Sequence, residues 1–301
     1  MTPRSSRRHA GLLVVGVVAV SFSAVLVLLA EDTPKIAIAF YRCAIAAAVL
    51  VPLAFARHRN ELRSLTNAQR RLAVVSGAFL AAHFATWIPS LDYTSVAASS
   101  VLVTTQPLWV ALFGRVIGER PPRHAYIGIG VALVGTVVIA GGDLGGSGRA
   151  LIGDGLAVAG AIFGAGYVLA GRNLRQAVSV VSYTAVVYGT AAALLGVVLI
   201  LTGTPFAGYP PRTWLLFALI TIGPQFLGHT VFNYLLGHLE ASVVAVAIMA
   251  EPVGATLLAL AILGRAPSAS AVLGGVLILA GVYVAIAGGR GRAAFLETPV
   301  D

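Results

Sequence analysis

Long apolar runs, separated by short stretches rich in Gly, Pro, Asp and Arg, set the pattern of this chain. The runs do not alternate apolar and polar residues as the strands of a membrane β-barrel do. At about 20 residues each, they match the ~30 Å hydrocarbon core of a bilayer crossed as helix. Ten spans are expected, at 11–30, 36–56, 72–91, 95–117, 125–141, 151–171, 180–202, 213–236, 241–264 and 270–288. The predicted fold is therefore an all-α integral membrane protein. Between the spans, only 57–71 is a long polar connection, and no stretch is large enough for a soluble domain. Residues 1–10 and 289–301 are expected to be tails, with 293–301 disordered. Arg4, Arg7 and Arg8 before the first run resemble a signal peptide, but a run of this length followed by many more fits an uncleaved first span better.

Composition agrees with that pattern. Of 301 residues, 58% are hydrophobic and only 10% charged, with a mean hydropathy of +0.92. A soluble protein built this way would lack the polar residues to cover its surface. The net charge of +9 would suit a nucleic-acid partner, but the basic residues sit in short loops, as membrane anchors do, so no nucleic acid is expected. With the N-terminus placed inside, fifteen Arg fall in inside segments against four Lys or Arg outside, leaving Arg42 within a span. The positive-inside rule then puts both termini in the cytoplasm, and the expected location is the plasma membrane. The single cysteine, Cys43, excludes an internal disulfide and a cysteine metal cluster. Neither HExxH nor a P-loop is present, and no cofactor or metal is expected.

The chain repeats itself. QPLWVALFGRVIGERPPRHAYIGIGVALVGTV from Gln106 aligns with EPVGATLLALAILGRAPSASAVLGGVLILAGVYV from Glu251. Pro107 pairs with Pro252 at an offset of 145, and Gly118, Pro121, Gly128 and Gly135 pair with Gly264, Pro267, Gly274 and Gly281 at 146. His83 and His229 pair at 146 as well. Five spans per unit is an odd number, so the second unit must be inverted relative to the first, an arrangement many secondary transporters use for alternating access.

At these residues the chain resembles the drug/metabolite transporter superfamily, in its ten-helix branch with two EamA-type domains. The resemblance covers 11–288, as repeats at 11–141 and 151–288. Its most specific parts are HFATWIPSLDYTSVAASSVLVTTQP with the following GERP, QFLGHTVFNYLLGHLEASVVAVAIMAEP, and Phe40-Tyr41-Arg42. One departure is Gly264-Arg265, where the family often carries a second Gly-Glu like Gly118-Glu119; that acid is read as a feature of the helix end, away from the solute site. The resemblance implies ATP-independent movement of small metabolites, including amino acids and some drugs, with export preferred.

The candidate chemistry lies inside the spans. Glu251 is the one acidic residue placed mid-span, where a charge is costly and usually functional. It can exchange a proton or recognise an amine; the plainer reading is a hydrogen bond that packs a neighbouring helix. Its repeat counterpart, Gln106, cannot titrate. Gln225, His229 and Asn233 recur every four residues, which on an α-helix makes one polar stripe, suited to a zwitterion or to a helix interface. His83 and Trp87, four apart, can present an imidazole and an indole to one cavity, or pack. Two histidines and one acid are a thin metal set. Pro107 and Pro252 should kink their helices and serve a gate, unless they are the ordinary prolines of membrane helices. Arg42, about 9 Å below the outer end of its span, either snorkels outward or faces the outer mouth to attract a carboxylate.

A secondary transporter of a small organic metabolite, acting by alternating access, is the leading reading; Glu251 could couple it to protons, but that coupling is not demanded, since facilitated exchange would need no such residue. Membrane lipid is the surrounding partner, and a homodimer stays open. An intramembrane enzyme would need a nucleophile–base pair or paired acids within the spans, and neither is found, so no enzyme is expected. A sensor subunit would usually bring a soluble effector domain.

Overall fold

The computed structural model describes residues 3–94, 96–116, 118, 122–140, 148–263 and 269–296. Every regular element among the described residues is helical. The first half holds α1 (Pro3–Leu29), α2 (Lys35–Arg57), α3 (Arg59–Ser64), α4 (Asn67–Ser90), α5 (Val96–Val103), α6 (Gln106–Val116) and α7 (Arg123–Ala140). The second holds α8 (Gly148–Arg175), α9 (Val180–Leu201), α10 (Pro211–Ile220), a π-helical turn region (Thr221–Thr230), α11 (Val231–Leu236), α12 (Ala241–Ile248), α13 (Glu251–Leu263) and α14 (Ala269–Leu296). Among the described residues, seven helices are long and apolar enough to cross a membrane, and 123–138 and 272–284 are shorter apolar helices. Large apolar side chains such as Ile200, 68% exposed, and Tyr283, 73% exposed, cover the outside. Such a surface belongs against lipid, and the protein is a multi-pass membrane protein.

Apolar length drives these helices; polar residues set where they start. Thr66 begins α4 with a capping box, its hydroxyl accepting from Gln69 N–H and Gln69 Oε1 accepting from Thr66 N–H at 2.9 Å. Ser179 caps α9, and Glu61 of α3 completes the cap. The Glu61 carboxylate accepts from Ser179 N–H at 2.6 Å and from the Ser179 and Ser182 hydroxyls. A negative charge at that helix start also meets the positive end of its dipole. The loop expected at 57–71 thus contains a short helix fastened to the second half.

Three expected spans are not single helices. The fourth breaks at Thr104-Thr105 and the ninth at Met249-Ala250. Proline explains both: neither Pro107 nor Pro252 can donate to the carbonyl four residues back, so a new helix starts with proline in its first turn, where no donor is needed. Tight turns close the gaps, Thr105 N–H donating to Leu102 O at 3.2 Å and Ala250 N–H to Ala247 O at 3.1 Å. The expected kinks are therefore full breaks. In the eighth span, Pro224 sits in the π region, whose wider winding replaces the expected regular turns. Helical structure runs on into the expected tails, with α1 starting at Pro3 and α14 reaching Leu296. Arg175, counted among the exposed anchors, is buried and donates from Nε to the Asn233 carbonyl at 2.9 Å, closing the end of α11. Glu119, Pro121, Gly264, Arg265 and Pro267, used in the sequence reading, lie outside the described residues.

The halves interlock. α4 packs on α8 and α9, α2 on α9, and α1 on the π region and α13. α7 and α14, equivalent by the repeat, pack chiefly on each other. Gly135 of α7 meets the Gly274 carbonyl of α14, and Gly281 of α14 meets the Gly128 carbonyl of α7. Rising numbers on one helix face falling numbers on the other, so the two run antiparallel.

Candidate functional site

Both helix breaks open onto one internal cavity of about 40 Å³. Gln106 and Glu251, the repeat-matched pair, are the first residues of α6 and α13, and both line it. His83, Trp87, His229 and Asn233 line it as well. α1 steadies the second break, since the Ser21 hydroxyl donates to the Glu251 carbonyl at 3.3 Å. The positive ends of two short helices therefore face the cavity from matched positions.

Small residues of α8 let this site assemble. A Cβ on Gly164 would stand 2.7 Å from Gln106 Oε1 and 3.1 Å from His83 Nδ1, so a larger residue there would push the Gln106 amide out of its present place. The Gly160 carbonyl accepts from His83 Nδ1 at 2.8 Å. That bond fixes the proton on Nδ1 of the neutral ring and leaves Nε2 as an acceptor. Trp87 stacks on His83 with ring centres 6.0 Å apart and planes 17° apart. Its indole N–H is buried without a partner among the described residues. His229 stands 6.3 Å from the His83 ring, and Phe84 meets His229 edge-on at 5.3 Å.

Asn233 is held by α8 and α9. Its Oδ1 accepts from the Tyr167 hydroxyl at 2.8 Å, and its Nδ2 donates to the Tyr188 hydroxyl at 3.4 Å. Tyr188 in turn pairs with Thr230 at 2.9 Å.

Arg42 and Gln225 lie apart from the lined cavity. Arg42 is 1% exposed, so in this conformation its side chain does not reach the surface. Its Nε donates to Gln225 Oε1 at 2.8 Å, its Nη1 reaches Ser23 Oγ at 3.5 Å, and its guanidinium lies 3.9 Å over the Phe84 ring. Arg42 Nη2 and Gln225 Nε2 are both buried donors without a partner among the described residues. The expected stripe divides here: His229 and Asn233 turn to the cavity while Gln225 turns to α2. The winding changes from π to α after Thr230, between His229 and Asn233, so the three residues do not lie on one regular α-helix. Phe84 is shared between Arg42 and His229, and it links the buried guanidinium to the cavity wall.

Sequence reasoning missed Tyr167, Thr104, Gly164 and Phe84. The available signal was AGAIFGAGYVLAG in α8, a run of small residues carrying one tyrosine, which marks a close helix crossing with a hydroxyl inside it. Pro107 and Pro252 are the second residues of the half-helices and are not lining residues. Among the described residues, no group of three or more His, Cys, Asp or Glu could hold a metal ion.

A family model described as EamA-like transporter family matches residues 9–141 and 151–287. No curated protein matches the chain. A solved structure described only as "Crystal structure of protein" is similar, with a TM-score of 0.78 and 22% identity over 97% of this chain and 99% of that one. At that identity the likeness is one of fold.

Proposed function

The chain belongs to the EamA-like transporter family, and from that premise we propose that it carries a small organic metabolite, an amino acid or a drug-like solute, across the plasma membrane by alternating access. Ten spans form two inverted five-helix halves, with both termini in the cytoplasm and net movement outward. The observation that carries this reading is the pair of breaks at Gln106 and Glu251, repeat-matched and facing one cavity. The antiparallel pairing of α7 with α14 supports the inversion.

A cavity of about 40 Å³ holds a few waters, each needing about 10–15 Å³, and no metabolite. This conformation is the occluded one. Opening to either side separates the half-helices at their breaks, where no continuous hydrogen-bond ladder has to be broken. The stacked His83 and Trp87 supply a planar wall for an aromatic or cationic group. Glu251 binds a proton or the amine of the solute, one excluding the other, which couples solute movement to a proton gradient. Gln106 offers hydrogen bonds at the matched position without titrating.

Flux in proteoliposomes tests the reading. A panel of amino acids, nucleosides, polyamines and organic cations is screened for thermal stabilisation, and the hits are assayed for uptake and counterflow under an imposed pH gradient. Gradient-driven counterflow of a hit is expected. Binding without flux in both membrane orientations would overturn transport.

A further inference from the structure

A second cavity lies on the outside of the bundle, where α2, α3 and α9 meet. It is a groove of about 580 Å³ with walls from Val51, Ala54, Phe55 and Val186, and Arg59, Arg63 and Arg70 stand around it. A neighbouring groove of about 550 Å³ continues it along α2 and α9, the two sharing Val51 and Gly189. From Phe55 to Phe40, also on that surface, α2 rises about 22 Å at 1.5 Å per residue, more than half of a ~30 Å bilayer core. The apolar furrow is thus long enough for a lipid tail, and its basic end lies at one membrane surface.

The charge at that end is uncompensated. The nearby acid, Glu61, is engaged by Ser179, Ser182 and His58. No ion pair to Arg59, Arg63 or Arg70 occurs among the described residues. Arg70 donates to the Arg63 carbonyl at 3.0 Å, which ties the start of α4 to α3 and keeps the arginines together. Three guanidinium groups beside an apolar furrow complement a phosphate joined to acyl chains.

We propose that this groove binds an anionic phospholipid, its phosphate on Arg59, Arg63 and Arg70 and one acyl chain along the α2–α9 furrow. Basic pockets between membrane helices are known to hold anionic head groups, and arginine suits phosphate by its forked geometry. The lipid bridges α2 and α4 of the first half to α9 of the second, so its occupancy biases how the halves move. The site is separate from the central cavity and does not depend on which solute is carried.

The test is lipid retention by the purified full-length protein, followed by native mass spectrometry and thermal stability. Phosphatidylglycerol is compared with phosphatidylcholine and with inorganic phosphate. Retention and stabilisation by phosphatidylglycerol alone are expected, falling at least about tenfold in R59Q/R63Q/R70Q but not in R8Q/R115Q/R123Q, which removes equal charge elsewhere. An equal loss in both triple variants would mean diffuse attraction, and full stabilisation by inorganic phosphate would mean an ion site without a lipid tail; either overturns the proposal. Should the site variant fold poorly, F55W supplies a reporter in the groove of the otherwise intact protein. Quenching by trace brominated phosphatidylglycerol should exceed that by brominated phosphatidylcholine, and equal quenching overturns the site.

Discussion

Arg42 and Gln225, 183 positions apart, meet through a 2.8 Å hydrogen bond deep in the protein. The bond joins the two halves at a buried guanidinium, and losing the acceptor leaves that charge short of a partner. Gln225→Leu should destabilise the fold by roughly 2–3 kcal/mol, the cost of unpairing a buried donor on a charged group. Gln225→Glu keeps an acceptor and should recover much of that loss. Thermal unfolding in detergent separates them, and equal midpoints for Q225L and wild type would remove the bond's structural role.

Among the described residues, Glu251 is the one cavity-lining carboxyl. In E251Q, flux should continue by exchange but lose its dependence on a pH gradient, because glutamine keeps the shape and cannot carry the proton. Uptake measured with and without the gradient checks this. A variant with an unchanged gradient response assigns the coupling elsewhere.

Pro107 allows a break, and without it the backbone can close the ladder from α5 into α6. Pro107→Ala should alter stability by less than about 1 kcal/mol, since proline in a first turn removes no bond. Flux should nevertheless fall by about tenfold or more if the break is the moving part. Unaltered flux in P107A would show that the break is only structural.

Two glycines of α7 should respond with opposite signs. A Cβ on Gly135 would stand 2.5 Å from the Gly274 carbonyl oxygen, whereas one on Gly130 meets nothing within 4 Å. G135A should therefore cost about 1–3 kcal/mol through overpacking. G130A should stabilise by about 0.5–1 kcal/mol, because alanine suits a helix interior better. Melting curves of the pair would show whether α7 and α14 pack this closely in the membrane protein.

Glu61 makes stability depend on pH outside the spans. Burial pushes its carboxyl up, but the bonds from the Ser179 and Ser182 hydroxyls and the Ser179 N–H, with His58 nearby, outweigh that and hold it below its ordinary value of 4.5. A folded-state pKa below the unfolded one means stabilisation present above the unfolded value and lost as pH falls through the folded one. Glu61→Gln should cost about 1 kcal/mol at neutral pH, a modest figure for a partly exposed site, and match wild type in acid. Denaturation of both proteins across pH 3–7 checks the convergence, since unfolded carboxylates titrate at about 4.3. A gap between the two that persists in acid would mean that the lost charge is not its cause.

The sequence by itself determined the apolar runs, the duplication and the polar residues that had to be explained, because hydrophobic length and spacing are local properties. It carried Pro107 and Pro252 to their matched places and paired Gly128 with Gly274 and Gly135 with Gly281 by the repeat, whereas the antiparallel packing crosses those pairs, setting Gly135 against Gly274 and Gly128 against Gly281. It also singled out six residues that the cavity gathers, from His83 to Glu251. Only the tertiary structure decided that Gln225 leaves the stripe for Arg42, that Tyr167 enters through a glycine-lined crossing, and that Glu61 caps a helix 118 residues away. Those outcomes depend on π winding and on how closely helix backbones approach. Neither is written in the period of a run, since both follow from side chains that meet across long stretches of chain.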